Sequence, residues 1–136
     1  MRLLWHSNAP WAGTGYGQQT GMFVPLLRDQ GHQVAISAFW GLYGQMMDWE
    51  SIRVYPAGVD PFGNDVLTSH ALHWFDGNAA AGAVITLMDM WVVKAPSLHL
   101  FTVGAWTPVD HAPCPPAVAA ALKRHQALPI AMSRFG

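Results

Sequence analysis

The stretch RLLWHSNAPWAGTGYGQQTGMFVPLLRDQGHQVAISAF, residues 2–39, decides the fold. Its first apolar run, Arg2–His6, predicts a short buried strand. After a loop of small residues, the segment from Gly17 to Gln30 carries apolar side chains at the 3.6-residue period of a helix. Gly31 is the expected residue after the helix end, and Gln33–Phe39 predicts a second strand. Strand, helix and strand in this order predict one unit of a parallel sheet.

The rest of the chain continues the alternation. Strands are predicted over Ile52–Tyr55, Ala83–Leu87, Thr102–Thr107 and Leu128–Met132, and helices over Asn64–Phe75 and Ala117–Gln126. Asn64 is the expected N-cap of its helix, Pro25 predicts a kink or a broken half in the first helix, and Gly41–Trp49 is predicted to be a loop. We therefore expect an α/β fold over residues 1–136, a Rossmann-like open parallel sheet with helices on both faces.

Composition excludes several classes of protein. Hydrophobic residues make up 51% of the 136 residues and charged residues only 11%, against about 25% charged in an average domain. This composition excludes a disordered chain, and a net charge of −1 offers no basic surface for nucleic acid. The longest apolar run, Ala79–Met88, falls short of the ~18 residues of a transmembrane segment. Together with the lack of a signal-peptide core, this predicts a cytoplasmic protein without a transmembrane segment.

No metal site is expected. The seven histidines are scattered over different predicted elements, and only His70 and His73 lie close together in sequence. They do not form a metal-ligand motif such as H-E-x-x-H. The one cysteine, Cys114, excludes an intrachain disulfide and a multi-cysteine zinc site.

The glycine-rich loop after the first strand is a candidate binding site, because ligands of open parallel sheets bind outside the carboxyl ends of the strands. The loop is Gly13, Thr14, Gly15, Tyr16 and Gly17. Its backbone amides could approach an anion at a helix N-terminus. The loop does not match the G-x-G-x-x-G pattern, because Gln18 and Thr20 occupy the required glycine positions. A tight turn that needs positive φ remains the alternative.

Polar residues also follow the later strands. Asp89 follows the fourth predicted strand, Thr107, Asp110 and His111 follow the fifth, and Ser133 follows the sixth. A carboxylate and an imidazole at a strand end could bind a sugar hydroxyl or relay a proton, so Asp110 and His111 are the catalytic candidates. The alternatives are an exposed loop pair for Asp110–His111 and a helix N-cap for Asp89. Trp11, in the first loop, is a candidate stacking platform for a sugar ring.

These segments, taken in order, resemble a known family. The carriers of the resemblance are RLLWHSN (2–8), GTGYG (13–17), LRDQGHQV (27–34), ITLMD (85–89), AWTPVDH (105–111) and IAMSRFG (130–136). Together they resemble the N-terminal domain of GT-B glycosyltransferases of the group 1, or family 4, type. The resemblance covers essentially the whole chain.

The resemblance implies an enzyme that moves a sugar from a nucleotide donor to a hydroxyl acceptor, with retention and without a metal or other cofactor. Residues 1–136 would be its acceptor-side domain, and a C-terminal donor-binding domain would be missing, so that the chain alone would be inactive. His111 best matches the family's histidine beside the reacting sugar, but Pro108-Val109-Asp110 departs from the pattern, and Asp110 could hold that place instead. The alternative is a non-catalytic Rossmann-like module that binds a nucleotide or phosphate.

Overall fold

A computed structural model describes residues 1–108 and 113–132. The strands are β1 (Arg2–Asn8), β2 (Gln33–Trp40), β3 (Met47–Trp49), β4 (Ile52–Tyr55), β5 (Gly82–Leu87), β6 (Thr102–Trp106) and β7 (Leu128–Ile130). The helices are α1 (Gly15–Asp29), α2 (Leu67–Trp74) and α3 (Pro116–His125), and two 3-10 turns span Met90–Val92 and Leu98–Leu100.

The seven strands of the described residues form one sheet in the order β3-β4-β2-β1-β5-β6-β7. Every neighbouring pair is parallel except β3 and β4, which are antiparallel. The strand order reverses at β1, which lies between β2 and β5. The expected α/β fold with an open, mostly parallel, Rossmann-like sheet is therefore confirmed.

The two faces of β1 belong to two separate parts of the core. Leu3 and Trp5 point to one face and pack with Val24 of α1. Leu4 points to the other face, in a cluster that includes apolar residues of α2 and α3. Helices therefore cover both faces of the sheet, as the continuous apolar strands predicted.

Helix α1 has well-defined ends. The Thr14 hydroxyl accepts a hydrogen bond from the Gly17 amide at the N-terminus. At the C-terminus, Gly31 has a φ of 98° and its amide donates to the Arg28 carbonyl, while the next amide donates to Leu27, which is a Schellman motif. Of the two outcomes predicted at Pro25, the broken half is wrong, because α1 continues through this residue, and the kink stays a prediction.

Two other local predictions are also wrong. Asn64 does not cap α2, which begins at Leu67 after an N-cap position held by Val66. The predicted loop over 41–49 contains β3, which pairs with β4 across a tight turn at Glu50 and Ser51. Both turn residues have positive φ, the combination that suits a two-residue hairpin loop.

Within the part of the chain that the structure describes, no helix combines the length and the apolar character needed to cross a membrane.

Candidate functional site

The reversal of strand order between β1 and β5 creates a crevice at their carboxyl ends, the usual ligand site of such sheets. The Ser7 hydroxyl, near the end of β1, donates a 2.7 Å hydrogen bond to the carbonyl of Leu87, the last residue of β5. Ser7 is completely buried. This bond fixes the two strand ends against each other and gives the crevice a rigid floor.

Thr14 holds the glycine loop above this floor. Its Oγ1 accepts hydrogen bonds from Asn8 Nδ2 at 2.7 Å and from the Gly17 amide at 3.0 Å. The first bond ties the loop to the end of β1, and the second caps α1. Because both lone pairs of the hydroxyl oxygen are in use, its own proton is the group that Thr14 can offer to a ligand.

The three glycines of the loop have different structural roles. A Cβ on Gly17 would collide with the Ala12 carbonyl oxygen, so Gly17 is required for close packing of the loop on the helix. A Cβ on Gly13 or Gly15 would meet nothing within 4 Å. None of the three has positive φ, so the alternative of a turn that needs positive φ is wrong. Packing and backbone conformation do not explain Gly13 and Gly15, and both lie exposed beside the helix N-terminus.

Asp89 lies across the crevice from this loop, just before the 3-10 turn Met90–Val92. It occupies the N-cap position of that turn, but its carboxylate makes no capping hydrogen bond. Burial raises the pKa of the half-buried Tyr16 phenol, and the negative charge of Asp89 raises it further. The exposed Asp89 thus lies at the same edge of the sheet as the glycine loop, near enough for its charge to act on the Tyr16 phenol.

A hollow of about 400 Å³ opens next to Asp89. Its walls are Trp91, Pro108, Pro115 and the first turn of α3 at Ala117 and Val118. Thr107, the residue before Pro108, is buried, and its Oγ1 accepts a 3.1 Å hydrogen bond from the Met90 amide. Thr107 therefore holds the turn that carries Asp89 against the end of β6.

Asp110, His111 and Ser133 lie outside the described residues, so their predicted roles stay predictions. Pro108 and Pro115, which line the hollow, flank the segment that contains Asp110 and His111.

Trp91 separates this hollow from a second one of about 200 Å³, whose lining includes Asp60, Phe62 and Lys94. Asn64 holds the Val92–Lys94 side of the second hollow in place. Its Nδ2 donates to the Val92 carbonyl at 2.9 Å, and its Oδ1 accepts from the Lys94 amide at 2.7 Å. The Trp91 side chain is exposed and lies in both linings. Its position after a strand is visible in the sequence, but its place between two hollows is not.

Trp11 is anchored next to the end of β2. Its Nε1 donates a 2.7 Å hydrogen bond to the carbonyl of Gly41, the residue after β2, and its ring is partly exposed. The predicted stacking platform thus lies on the β2 side of the glycine loop.

A buried polar row that sequence reasoning missed runs beneath the site. His6, Ser37 and Tyr55 occupy paired positions on β1, β2 and β4. His6 Nε2 lies 2.9 Å from the Phe62 carbonyl oxygen, so the row reaches the loop that lines the second hollow. The pairing register brings these residues together, and spacing along the chain does not reveal it.

Among residues 1–108 and 113–132, no three His, Cys, Asp or Glu side chains come together as metal ligands. No protein-family model, curated protein or solved structure matches the chain.

Proposed function

We propose that this chain is the acceptor-side half of a glycosyltransferase that transfers a hexosyl group from a nucleotide-sugar donor, with retention, to a hydroxyl acceptor. The observation that carries the proposal is the position of the Asp89 carboxylate opposite the N-terminus of α1 at the β1–β5 crevice. A nucleotide sugar combines phosphate charge with a neutral ring rich in hydroxyls. The two sides of the crevice match these two parts.

The α1 side suits the phosphates. Helix geometry leaves the amides of Gly15 and Tyr16 without partners inside the helix, and the helix dipole favours negative charge there. Gly13 and Gly15 carry no side chain beside these amides, and a Cβ on either would meet nothing within 4 Å. Helix N-termini with this access are common phosphate sites.

The Asp89 side suits the sugar hydroxyls. An ionised carboxylate accepts hydrogen bonds only, and hydroxyl groups donate them. The adjoining hollow of about 400 Å³ falls within the ~300–1,000 Å³ range of small-molecule pockets. We assign the acceptor to this hollow.

We retain His111 and Asp110 as the candidates for the group beside the reacting sugar, with Thr107 and Ser133 as further substrate-binding residues. The proposal needs no cofactor, since the nucleotide sugar is a substrate. It also requires a second, donor-binding lobe and includes a cytoplasmic location.

A second candidate function is a non-catalytic module that binds a nucleotide or a phosphorylated ligand. The open space at Gly13 and Gly15 supports this function equally well, because it involves the phosphate and no catalytic group.

A binding experiment tests what the two functions share. Calorimetry with uridine, guanosine and adenosine diphosphates is expected to detect binding to the 136-residue chain. Gly15→Val is expected to weaken it at least tenfold by filling the space before the helix amides. Gln18→Val, at an exposed position further along α1, is the matched control. Absence of binding by all three nucleotides would contradict the binding module and the assignment of the donor phosphates to the α1 side.

A transfer assay separates the two functions. It uses the chain joined to the donor-binding lobe that the proposal requires and follows release of the nucleoside diphosphate from a panel of nucleotide sugars. The glycosyltransferase proposal predicts release that Asp89→Asn reduces and that His111→Ala or Asp110→Ala abolishes. Nucleotide binding without any release would favour the binding module, and full activity of both alanine variants would remove their proposed role.

A further inference from the structure

The second hollow, next to Trp91, has walls that hydrogen bonds hold in place. Asp60 Oδ2 accepts from the Phe62 amide at 2.9 Å and from the Asn64 amide at 3.0 Å, which closes the loop that forms one wall. The Asn64 side chain in turn bonds to the backbone of the opposite wall, including the Lys94 amide. Because both walls are already ordered, a ligand would lose little affinity to the ordering of the protein.

Asp60 and Lys94 bring opposite charges to this hollow without pairing with each other. The ion pairs that the structure shows among the described residues involve neither side chain. Lys94 is exposed, and the second carboxylate oxygen of Asp60, Oδ1, accepts no hydrogen bond within the described ranges. The hollow thus offers a ligand one charged acceptor and one charged donor.

Trp91 is the partition between the two hollows, since it lies in the lining of both. Its side chain is 55% exposed. The backbone on either side of it is fixed, because the Met90 amide donates to Thr107 and the Val92 carbonyl accepts from Asn64. An exposed indole on a fixed backbone presents a large, rigid apolar surface to a ligand that spans both hollows.

The charges of the two hollows indicate a neutral ligand rich in hydroxyls. Asp89 lies in the first hollow and Asp60 in the second, so a ligand that spans both meets one carboxylate on each side. These charges disfavour phosphate, and an entirely apolar ligand would leave Asp60 and Lys94 without partners. A sugar ring has C–H groups on its face, which can pack on an indole, and hydroxyls at its edge. A hydroxyl can donate to a carboxylate and accept from an ammonium.

From these observations we propose that the second hollow is a sugar subsite and that the acceptor is a saccharide of at least two rings. One ring occupies the hollow at Asp89, the next ring occupies the second hollow, and Trp91 packs against the saccharide between them. Asp60 Oδ1 accepts hydrogen bonds from hydroxyls of the second ring, and Lys94 Nζ donates to them. This inference rests on the proposed function, which assigns the acceptor to the first hollow.

A comparison of disaccharides with monosaccharides tests the second subsite. Maltose, cellobiose, lactose and melibiose are titrated beside their constituents, glucose and galactose. Binding is followed by the indole N–H signal of Trp91 in the ¹⁵N-labelled protein, assigned with Trp91→Phe. At least one disaccharide is expected to shift this signal saturably. It is expected to bind at least tenfold more tightly than its constituent monosaccharides, because only the disaccharide reaches both hollows.

Two substitutions test the polar groups of the second hollow. Asp60→Asn keeps an oxygen for the amides of Phe62 and Asn64 but replaces the free carboxylate oxygen by a donor. Lys94→Met keeps a long side chain without its charge. Each is expected to reduce the ratio of disaccharide to monosaccharide affinity at least threefold. Lys123→Met, at an exposed position of α3 outside both linings, is the matched control and is expected to leave the ratio unchanged. Thermal unfolding of each variant checks the fold.

Either of two results would overturn the proposal. One is that no disaccharide of the panel binds more tightly than its monosaccharides. The other is that neither substitution in the second hollow changes the affinity ratio. Release of nucleoside diphosphate by the two-lobed protein is a separate measurement. Release without a disaccharide advantage would remove the second subsite alone, whereas a disaccharide advantage without release would leave the subsite and remove the glycosyltransferase proposal.

Discussion

The Ser37 hydroxyl oxygen of β2 lies 3.0 Å from Nδ1 of His6 on the neighbouring strand β1. The same oxygen lies 2.8 Å from Nδ1 of His70. His6 Nε2 faces the Phe62 carbonyl, which can only accept, so Nε2 carries the ring proton and Nδ1 accepts from Ser37. The single hydroxyl proton is then in use, and Ser37 must accept from Nδ1–H of His70. Three hydrogen bonds thus run in one direction, from His70 to the Phe62 carbonyl.

Replacement of Ser37 by alanine removes the link between the two histidines. Nδ1 of His6 then loses its donor in a fully buried position, and Nδ1–H of His70 loses its acceptor. We expect Ser37→Ala to lower the free energy of unfolding by ~1–3 kcal/mol, as measured by urea denaturation at pH 7.5. Ser69→Ala, at an exposed position of α2, is the control and is expected to change it by less than ~0.5 kcal/mol. Equal effects of the two substitutions would contradict the hydrogen-bond chain.

The two histidines also predict how stability depends on pH. Burial lowers the pKa of both His6 and His70 to about 4. Asp60 opposes this shift at His6 and Asp65 opposes it at His70, while the neighbouring His73 adds to it at His70. Between pH ~6.5 and 4 the unfolded chain binds protons that the folded chain does not. These groups are therefore expected to leave the free energy of unfolding unchanged above pH ~6.5. As the pH drops below ~6.5, they are expected to lower it.

The expected slope is up to ~1.4 kcal/mol per pH unit for each such histidine. Urea denaturation at pH 8, 6.5, 5.5 and 4.5 measures it. His70→Gln, which keeps a donor for Ser37, is expected to reduce the slope between pH 6.5 and 5.5. His99→Gln changes an exposed histidine that takes no part in these hydrogen bonds and is expected to leave the slope unchanged. An unchanged slope in His70→Gln would show that His70 does not carry the effect.

Gly15 and Gly17 are expected to respond in opposite ways to the same substitution. Gly15→Ala meets open space at a backbone conformation that alanine accepts, so it is expected to raise the free energy of unfolding by ~0.4–1 kcal/mol. Gly17→Ala places its Cβ against the Ala12 carbonyl oxygen and is expected to lower it by ~1–3 kcal/mol. Thermal and urea denaturation measure both. A destabilised Gly15→Ala variant would mean that packing, rather than a ligand, explains the glycine.

Asn64 is expected to hold the Val92–Lys94 segment in place. Asn64→Ala removes two hydrogen bonds to the backbone of this segment, from Nδ2 and to Oδ1. We expect the Lys94 amide to exchange with deuterium at least tenfold faster, while β1 amides keep their protection. Asn78→Ala is the control, because among the described residues the Asn78 side chain bonds only to the nearby Ala80 amide, through Oδ1. Unchanged Lys94 exchange would show that the segment is held by other contacts.

The fold was largely predictable because its strands are continuous apolar runs with clear ends. The predicted range of β4 is identical to the observed one, and β2 is one residue longer than predicted. The exception is β3, which has three residues with no buried face and turns at Glu50–Ser51 rather than at a glycine. The prediction that Asn64 caps α2 is wrong for a different reason. Its side chain bonds to the distant Val92 and Lys94 instead of to the start of its own helix.

The site was predictable only as far as chain order determines it. Residues that follow parallel strands gather at one edge, so Asp89 and the glycine loop could be placed together in advance. The row of His6, Ser37 and Tyr55 depends on which residues of three strands lie side by side. A shift of one residue would turn each side chain to the other face, and spacing along the chain does not reveal the register.

The central position of β1 has a consequence for synthesis. Arg2 pairs with Gln33 on one side and with Gly82 on the other, although β1 leaves the ribosome before both partner strands. The edge of β1 that pairs with β5 therefore stays unpaired until β5 has been synthesised. Such long-range pairing slows folding and leaves strand edges open to other chains. A nascent chain stalled before β5 is thus the form of this protein most exposed to misassociation.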